Sequence, residues 1–571
     1  MATNTGSVPA SRQVFEMSGE NERIIVTSAL PYSEAVPHIG NFVGSMLPAD
    51  VFAKYLRMKG VDSISICGSD QHGTPIEIMA MKKGVDPMAL SNEVHEEIKK
   101  LLIEFECDYT HYGKTDSEEN KETVYELFAA LQKNGYIIET AGRRPYCPVD
   151  KRLLTDRFIE GTCPNCGAED ARGDQCDTCG HLMDPEELIK PHCAICGSTD
   201  IEFRETKNLA LNFPKLQPDI LEFVKSHSAN NWSKNAVNKT LSYIEQGLKP
   251  RDITRDISLG FPVPVPGFED KRFYVWFDAV IGYIGITREW SKERWQRYWK
   301  NSGTKLIQFM GKDNIEFHTM MWPGLLIGAN SGYVLPHTII AYEYLNAKGL
   351  KFSKSRGRGL NMQNALGIAP ADYWRFALVH MLPESADTEF TIAGFAEIVN
   401  KIMNDKIGNL VNRVLTLARN NEALLGSSPE GARSAAVDAQ IGEYSKNFDA
   451  IKIREALHNV IRIAELGNEL MSAEEPWALA KKAMASEDAA RRFKAAMASL
   501  IDTVHALGVL LYPFTPKASL QTLSYFSSEG EPRLGMLSES AKLARGKEVK
   551  PIFSKITDVE IKKMEGFSTM E

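Results

Sequence analysis

Two short stretches separated by more than 300 residues carry side chains suited to a triphosphate: Pro37-His38-Ile39-Gly40-Asn41 and Lys351-Phe352-Ser353-Lys354-Ser355. The first follows an apolar run, Ile24-Ile25-Val26-Thr27-Ser28-Ala29-Leu30, so His38 and Gly40 fall where a strand gives way to a helix. Amide hydrogens at such a junction point outward and favour phosphate. Gly40 lets the chain approach a nucleotide with no Cβ between them, and His38 can donate a hydrogen bond to a phosphate oxygen as charge builds on it. In the second stretch two lysines, three residues apart, lie on a Ser- and Gly-rich loop over 349–357, which suits a cationic clamp on a leaving pyrophosphate. Either stretch alone is a weak signal that more often marks a plain loop. The pair, in this order, carries the reading.

A second chemistry is metal binding. Seven of the nine cysteines lie between Cys147 and Cys196, and in a reducing compartment such spacing favours metal over disulfides. Cys163-Pro164-Asn165-Cys166-Gly167 and Cys176-Asp177-Thr178-Cys179-Gly180 supply four thiolates on two tight knuckles. That set predicts one structural Zn²⁺, closed to substrate and serving folding. Cys193 and Cys196 form another pair, with Cys147 as a third ligand, but the residue three beyond Cys147 is Asp150. Asp150 can ligate through oxygen or the site can stand empty, so a second zinc is left open.

These groups need a scaffold. The apolar runs 24–30 and 63–67 read as buried strands, and 46–59 and 117–134 show helical periodicity. Strand–helix–strand order with apolar strands predicts an α/β fold, a Rossmann-like doubly wound parallel sheet that binds ligand beyond the carboxyl ends of its strands. Tyr32 and Asp70 both follow such strands. The pattern then breaks into a connective insertion with the zinc knuckles. It resumes with strands expected over 272–277 and 305–310 and a stretch over 339–345 leading to the lysine loop. Long helical patterns over 398–511 predict an α-helical bundle domain. The divisions expected are a tail over 1–22, the first half of the sheet domain over 23–136, the insertion over 137–250, the second half over 251–345, the lysine-loop region over 346–397, the bundle over 398–541, and an extended tail over 542–571 that could dock on the body at a place the sequence does not show.

A chain of 571 residues exceeds one hydrophobic core, so several domains are expected. With 43% hydrophobic and 25% charged residues and no uninterrupted apolar run of membrane-spanning length, the composition is that of a water-soluble protein, with no membrane partner expected. The first twenty residues lack a secretory or organelle-targeting pattern, so a cytoplasmic location is the default. A net charge of −8 argues against sequence-independent coating of nucleic acid, which draws on lysine and arginine displacing counterions. Lys401, Lys406, Arg413, Arg419, Lys452, Arg454 and Arg462 concentrate in the helical region, where a solvated face is the plainer reading.

The two phosphate-binding stretches resemble the HIGH and KMSKS signatures of class I aminoacyl-tRNA synthetases, with Asn41 in place of the final His and Phe352 in place of Met. Four further stretches look like the methionyl-tRNA synthetase family: Ala29-Leu30-Pro31-Tyr32, Gly68-Ser69-Asp70-Gln71-His72-Gly73-Thr74, Tyr274-Val275-Trp276-Phe277-Asp278-Ala279-Val280-Ile281-Gly282-Tyr283, and Gly311-Lys312-Asp313-Asn314-Ile315-Glu316-Phe317-His318. The resemblance runs from about Arg23 nearly to the end.

It implies attack of the methionine carboxylate on the α-phosphate of Mg²⁺-ATP, release of pyrophosphate, and transfer of the acyl group from the adenylate to the terminal adenosine of tRNA(Met). His38 with Asn41 would stabilise the α-phosphate, Lys351 and Lys354 the pyrophosphate, and Gly311 and Asp313, with Gly40, would contact ATP. Asp70 would hold the ammonium, while Ala29, Leu30, Tyr32, Trp276, Ala279, Tyr283 and His318 would line the methionine pocket. Val280 stands where the family has proline, and Asp150 where it has cysteine. Arg255 lies in a family-like context. Glu475-Pro476-Trp477 resembles the family's anticodon motif, so Trp477 would stack on an anticodon base, whereas Thr416 and Asn420 occupy the places of the partner asparagine and arginine, with Arg419 one step away. The insertion is too small for an independent editing core. A monomer is expected. Two other readings are an ATP-using ligase that does not touch tRNA, and an inert paralogue that binds tRNA or zinc.

Overall fold

The computed structural model describes residues 22–562, except 174–175, 177, 180, 182, 348–349, 352–359, 426–432, 528–529, 540 and 545–546; for Asp156, Leu350 and Lys351 it describes the backbone alone. The chain divides into two compact units, one built on Arg23–Val399 with Pro513–Pro516, the other on Asn400–Tyr512 with Lys517–Ser554.

The first unit is organised by five parallel strands: β1 (Arg23–Ser28), β2 (Asp62–Ser69), β3 (His111–Lys114), β4 (Thr304–Gly311) and β5 (Pro336–Tyr342), in the order β5-β4-β1-β2-β3. The central strands are buried almost without a break, Ile24, Ile25 and Val26 fully so, as expected for a sheet covered on both faces. Strand order runs outward in one direction from β1 to β3 and in the other from β4 to β5. The crevice between the carboxyl ends of β1 and β4 is therefore the point where the winding reverses, the place where such sheets bind ligand.

Helices complete this unit. The turn after β1 opens a helix at Ile39–Asn41, which passes through a wide turn at Phe42–Met46 into α1 (Leu47–Lys59). Helix α2 (Val275–Trp290) packs on the helix Glu118–Lys133 so closely that a Cβ at Gly285 would lie 2.6 Å from Asn120 Cα. Helix α3 (Ala371–His380) follows the lysine loop. The strand expected over 272–277 is only Arg272–Phe273, and α2 starts at Val275. The run from Val275 to Thr287 is buried on nearly every side apart from Trp276, so the polar positions that reveal a helical period are absent and aromatic, β-branched composition reads as strand.

Two antiparallel strands, Ile137–Cys147 and Glu202–Leu211, lead out to the cysteine knuckles. The small core there contains Leu154, Phe158 and Ile159 but also Cys147, Cys163, Cys176 and Cys193. Beyond this ribbon, helices Phe213–His227 and Lys234–Glu245 return to the main core, where Leu216, Ile220 and Ala236 pack in the same cluster as Ile25 and Leu306.

The second unit is helical: Asn409–Asn420, Ala435–Asp449, Ile453–Glu474, Pro476–Lys482 and Glu487–Leu510. Gly467 permits a close helix crossing, since a Cβ there would meet Leu410 Cδ2 at 2.6 Å. Glu487–Leu510 is long and apolar enough to cross a membrane by length and composition, but 78% of its apolar window is buried in the protein. The extended stretch near Pro551 docks here: Phe553 is buried, lying 3.5 Å from the position a Cβ on Gly408 would take, and the Lys550 amide donates to Tyr525 Oη at 2.9 Å.

Candidate functional site

The geometry of His38 follows from its position as the cap of the helix that starts at Ile39. Its backbone is extended (φ −84°, ψ 165°), and Nδ1 accepts the Asn41 amide at 3.0 Å while the His38 amide donates to Asn41 Oδ1 at 3.4 Å. A ring nitrogen that accepts cannot carry a proton, so the neutral imidazole has its hydrogen on Nε2. Asn41 thus serves first to fix the ring, which is mostly buried. The helix start directs its partial positive charge at the same space.

The segment just beyond the lysine loop lies alongside this turn. Ile39 donates its amide to Leu360 O at 2.9 Å, Met362 donates to Pro37 O at 3.0 Å, and His38 pairs with Asn361. Upstream, Leu345–Ala347 pairs with Leu350–Lys351, which brings the chain to the start of the loop. Lys354 and the rest of 352–359 lie outside the described residues, as does the side chain of Lys351. The 360–362 strap was not anticipated from sequence, because no local pattern encodes a pairing with a turn so far upstream.

A cleft opens at the reversal of the sheet, lined by Ala29, Leu30, Pro31, His38, Gly40 and Asn41 on one side and Gly311, Asp313, Asn314 and Glu343 on the other. Lys312 fixes the far wall through ion pairs to Glu343 at 2.8 Å and Asp387 at 2.6 Å.

Asp70 sits at the end of β2, where its amide donates to Pro31 O at 2.9 Å and its carbonyl accepts from the Ser33 amide at 3.0 Å, so Tyr32 and Asp70 run side by side. The carboxylate is buried, and Oδ1 accepts the His72 amide at 3.2 Å. Burial raises its pKa well above the usual range and Asp278 adds to this, with His72 opposing. A cationic ligand would relieve that cost. Next to it, Tyr32 meets Trp276 edge to face at 6.1 Å, and Trp276 stacks flat on Phe317 at 3.6 Å. Ala279 packs with Tyr274, Val275, Tyr32 and Trp276, whereas Val280 joins the main core, so the residue replacing the family's proline faces away from the small aromatic cluster. Leu30 Cδ1 lies 3.5 Å from where a Cβ on Gly282 would stand.

His318 donates from Nδ1 to Asn314 O at 2.9 Å, because a carbonyl can only accept, and its Nε2 accepts from Tyr283 Oη at 2.7 Å. Burial lowers His318 to about 4, which keeps it neutral in this role. Phe317 was not singled out by sequence; an aromatic beside a motif histidine carries no mark of stacking. Arg255 is engaged elsewhere, over the Tyr274 ring at 4.1 Å and on Asp252 O at 3.3 Å. A concavity of about 660 Å³ lies along that side and shares Tyr274 and Phe317 as wall.

Both cysteine sets converge. Cys163, Cys166, Cys176 and Cys179 present ligand atoms within 4.8 Å of one another, as do Cys147, Asp150, Cys193 and Cys196. The sulfur pairs Cys163–Cys179, Cys166–Cys176 and Cys147–Cys196 stand at 3.9, 3.7 and 3.5 Å. A tetrahedral ion about 2.3 Å from each sulfur sets its ligands about 3.8 Å apart. Asp150 Oδ2 lies 3.0 Å from Cys193 Sγ and 3.7 Å from Cys147 Sγ. The donors present therefore fit a metal ion at both places.

In the helical unit Trp477 is 38% exposed and carries the Arg413 guanidinium over its ring at 5.3 Å. Arg413, Thr416 and Asn420 are all exposed and share one face of the helix Asn409–Asn420. Arg419 instead donates to Lys547 O.

Residues 24–415 match the family described as tRNA synthetases class I (M), which sets the class of the sheet unit, and residues 425–569 match the anticodon binding domain of methionyl tRNA ligase. The chain is 41% identical over 556 residues to the methionine–tRNA ligase of Aeropyrum pernix, covering 94% of this chain and 95% of that one. It is 40% identical over 568 residues to that of Caldivirga maquilingensis, covering 97% and 95%. The chain belongs to the methionyl-tRNA synthetase family. In fold it is similar to Mycobacterium tuberculosis methionyl-tRNA synthetase in complex with methionyl-adenylate, with a TM-score of 0.76 at 21% identity over 93% of this chain and 99% of that one.

Proposed function

We propose that this chain is a methionine–tRNA ligase, activating methionine with Mg²⁺-ATP to methionyl-adenylate and passing the acyl group to the 3′-terminal adenosine of tRNA(Met). The observation that supports this most is the backbone pairing of the His38 turn with residues 360–362 beside the sheet's reversal point. It sets the base of the lysine loop against the histidine turn, next to a buried carboxylate and an aromatic pocket.

In this reading the Asp70 carboxylate holds the ammonium, and Leu30, Tyr32, Trp276, Ala279, Tyr283 and His318 surround the thioether, where aromatic edges contact sulfur with ~0.3–1.5 kcal/mol each. That orientation leaves the substrate carboxylate facing the cleft lined by His38. No protein nucleophile is needed: the carboxylate oxygen attacks the α-phosphorus, and the bond to pyrophosphate breaks. His38 donates from Nε2–H to the α-phosphate oxygen that gains charge, the helix start adds its dipole, and Lys351 and Lys354 neutralise the departing pyrophosphate. Gly311 and Asp313 contact the adenosine, and Mg²⁺ accompanies the triphosphate.

Both cysteine sets hold Zn²⁺, which supplies folding stability and no chemistry. Trp477 stacks on an anticodon base, as single-stranded RNA readers do. We take the enzyme to act in the cytosol as a monomer. The test is methionine-dependent exchange of labelled pyrophosphate into ATP, followed by charging of tRNA(Met). Both activities are expected. Exchange without charging would assign the chain to ATP-using ligases that do not serve tRNA, and absence of exchange with methionine would refute the reading.

A further inference from the structure

We infer that His72 is a positioning residue for Asp70: held between Asp278 and Asp116, it supplies a positive charge that opposes proton uptake by Asp70 and so favours the anion that the substrate's ammonium binds. The inference rests on the methionine-activating reading and deepens it.

His72 follows Asp70 by two residues and is 2% exposed. Its Nδ1 meets Asp278 Oδ2 from α2, its Nε2 lies 3.4 Å from Asp116 Oδ1, and Phe261 closes the ring edge-on at 4.9 Å. Its own amide donates to Asp70 Oδ1 at 3.2 Å. His72 thus meets three carboxylates, Asp278 and Asp116 through its ring and Asp70 through its amide, and two of them, Asp70 and Asp278, are essentially inaccessible. Unpaired buried carboxylates are costly and respond by taking up protons. With His72 charged, the group Asp70, His72 and Asp278 carries one net negative charge, which the ammonium of an amino acid cancels. With His72 uncharged or absent, it would carry two, and Asp70 would retain a proton and lose its hold on a cation.

Other charged groups reach this cluster from each side. Glu34 faces Asp70 from the loop after β1, Lys114 and Lys121 face Asp116, and Arg157 stands over the Tyr32 ring at 5.9 Å. Burial alone would lower His72, but Asp278 and then Asp116 raise it to about 10.

The experiment measures the methionine KM and kcat of pyrophosphate exchange from pH 5.5 to 8.5 in the full chain, in His72→Gln, and in His72→Gln with Asp278→Asn. His72→Gln is expected to raise the methionine KM at pH 7 at least ~10-fold and to move its acidic rise to higher pH, with ATP KM and kcat within ~3-fold, since a tenfold change corresponds to one pKa unit. The double variant removes the negative charge that His72 balances and keeps a neutral amide pair, so its KM returns to within ~3-fold of the parent. An unchanged KM in His72→Gln, or a double variant as impaired as the single one, overturns the inference. If His72→Gln does not fold, as judged by circular dichroism, the double variant decides in the same way. Absence of methionine-dependent exchange in the parent protein would instead refute the underlying reading.

Discussion

Arg375 Nη2 lies 2.7 Å from Asp50 Oδ2, with neither side chain reached by solvent. Asp50 belongs to α1, the continuation of the helix that His38 caps, and Arg375 to α3, a few residues beyond the strap over 360–362. Lys54 binds the same carboxylate at 2.8 Å, the Asp108 amide donates to it at 2.7 Å, and Arg375 also donates to Phe105 O at 3.1 Å and Pro513 O at 2.6 Å. The anion at position 50 thus ties together the two segments that flank the His38 turn.

Asp50→Asn should therefore cost ~3–5 kcal/mol, because it leaves two cations buried without their counter-charge. Burial would raise the Asp50 carboxyl, but Lys54 and Arg375 bring it down to about 2. The contribution of the ionised group is then complete above its ordinary value near 3.8 and is lost only as pH falls through about 2. Denaturant unfolding at pH 7 checks the first statement, and a loss under 1 kcal/mol would contradict it.

His38→Ala and Lys354→Ala should each lower the kcat of pyrophosphate exchange by at least ~10²-fold, in line with removal of a donor to developing negative charge. The methionine KM should change far less, because neither residue is assigned to the amino-acid pocket. Unchanged exchange in either variant would remove that residue from the mechanism.

The Tyr283–His318 bond gives a prediction with a definite sign in pH. Tyr283→Phe strips the donor from a buried ring nitrogen, at ~1–3 kcal/mol, and should appear as a raised methionine KM. His318, depressed by burial to about 4, favours its neutral form in the folded protein, so its stabilising effect is full above the ordinary histidine value of 6.5 and disappears as pH falls through about 4. The methionine KM should accordingly show no titration from His318 between pH 6 and 8. A histidine NMR titration placing this ring's midpoint near 6.5 would contradict the assignment.

The contrast between local and distant features explains how much of this was legible. The His38 turn, the cysteine knuckles and the strands β1, β2 and β4 announce themselves because their chemistry or apolar run is complete within ten residues. The start of helix α2 reads as strand in the sequence because burial on nearly all sides erases its period. The His72–Asp278 contact spans 206 residues, the strap over 360–362 meets a turn more than 320 residues earlier, and Phe317 stacks on Trp276 through the meeting of two elements. No sequence period encodes such meetings; they exist only after the sheet has formed.

Metal analysis should give two zinc ions per chain. Cys163→Ser should remove one and Cys193→Ser the other, each with a lowered melting temperature, since the cysteines form much of the small core there. The Asp150 site has three thiolates and one carboxylate in place of four thiolates, so it should lose its ion first when chelator is added. Asp150→Cys should slow that loss. One zinc per chain in the parent protein, unaffected by Cys193→Ser, would show that the second set does not retain metal.

Trp477 and Arg413 predict a separation between the two half-reactions. The ring stands two residues past a constrained turn, where Glu475 adopts a left-handed backbone (φ 43°, ψ 55°) just before Pro476, a conformation disfavoured for a non-glycine residue and again for one preceding proline. Removing a stacking surface for one base costs ~1–3 kcal/mol, so Trp477→Ala should reduce kcat/KM for charging tRNA(Met) by ~5–150-fold. Arg413→Ala, which removes the cation beside the ring, should act in the same direction with a smaller effect and a shallower salt dependence. Pyrophosphate exchange without tRNA should be unchanged in both, since that step uses the other unit. Equal losses in exchange and charging would mean that Trp477 supports the fold and does not read RNA.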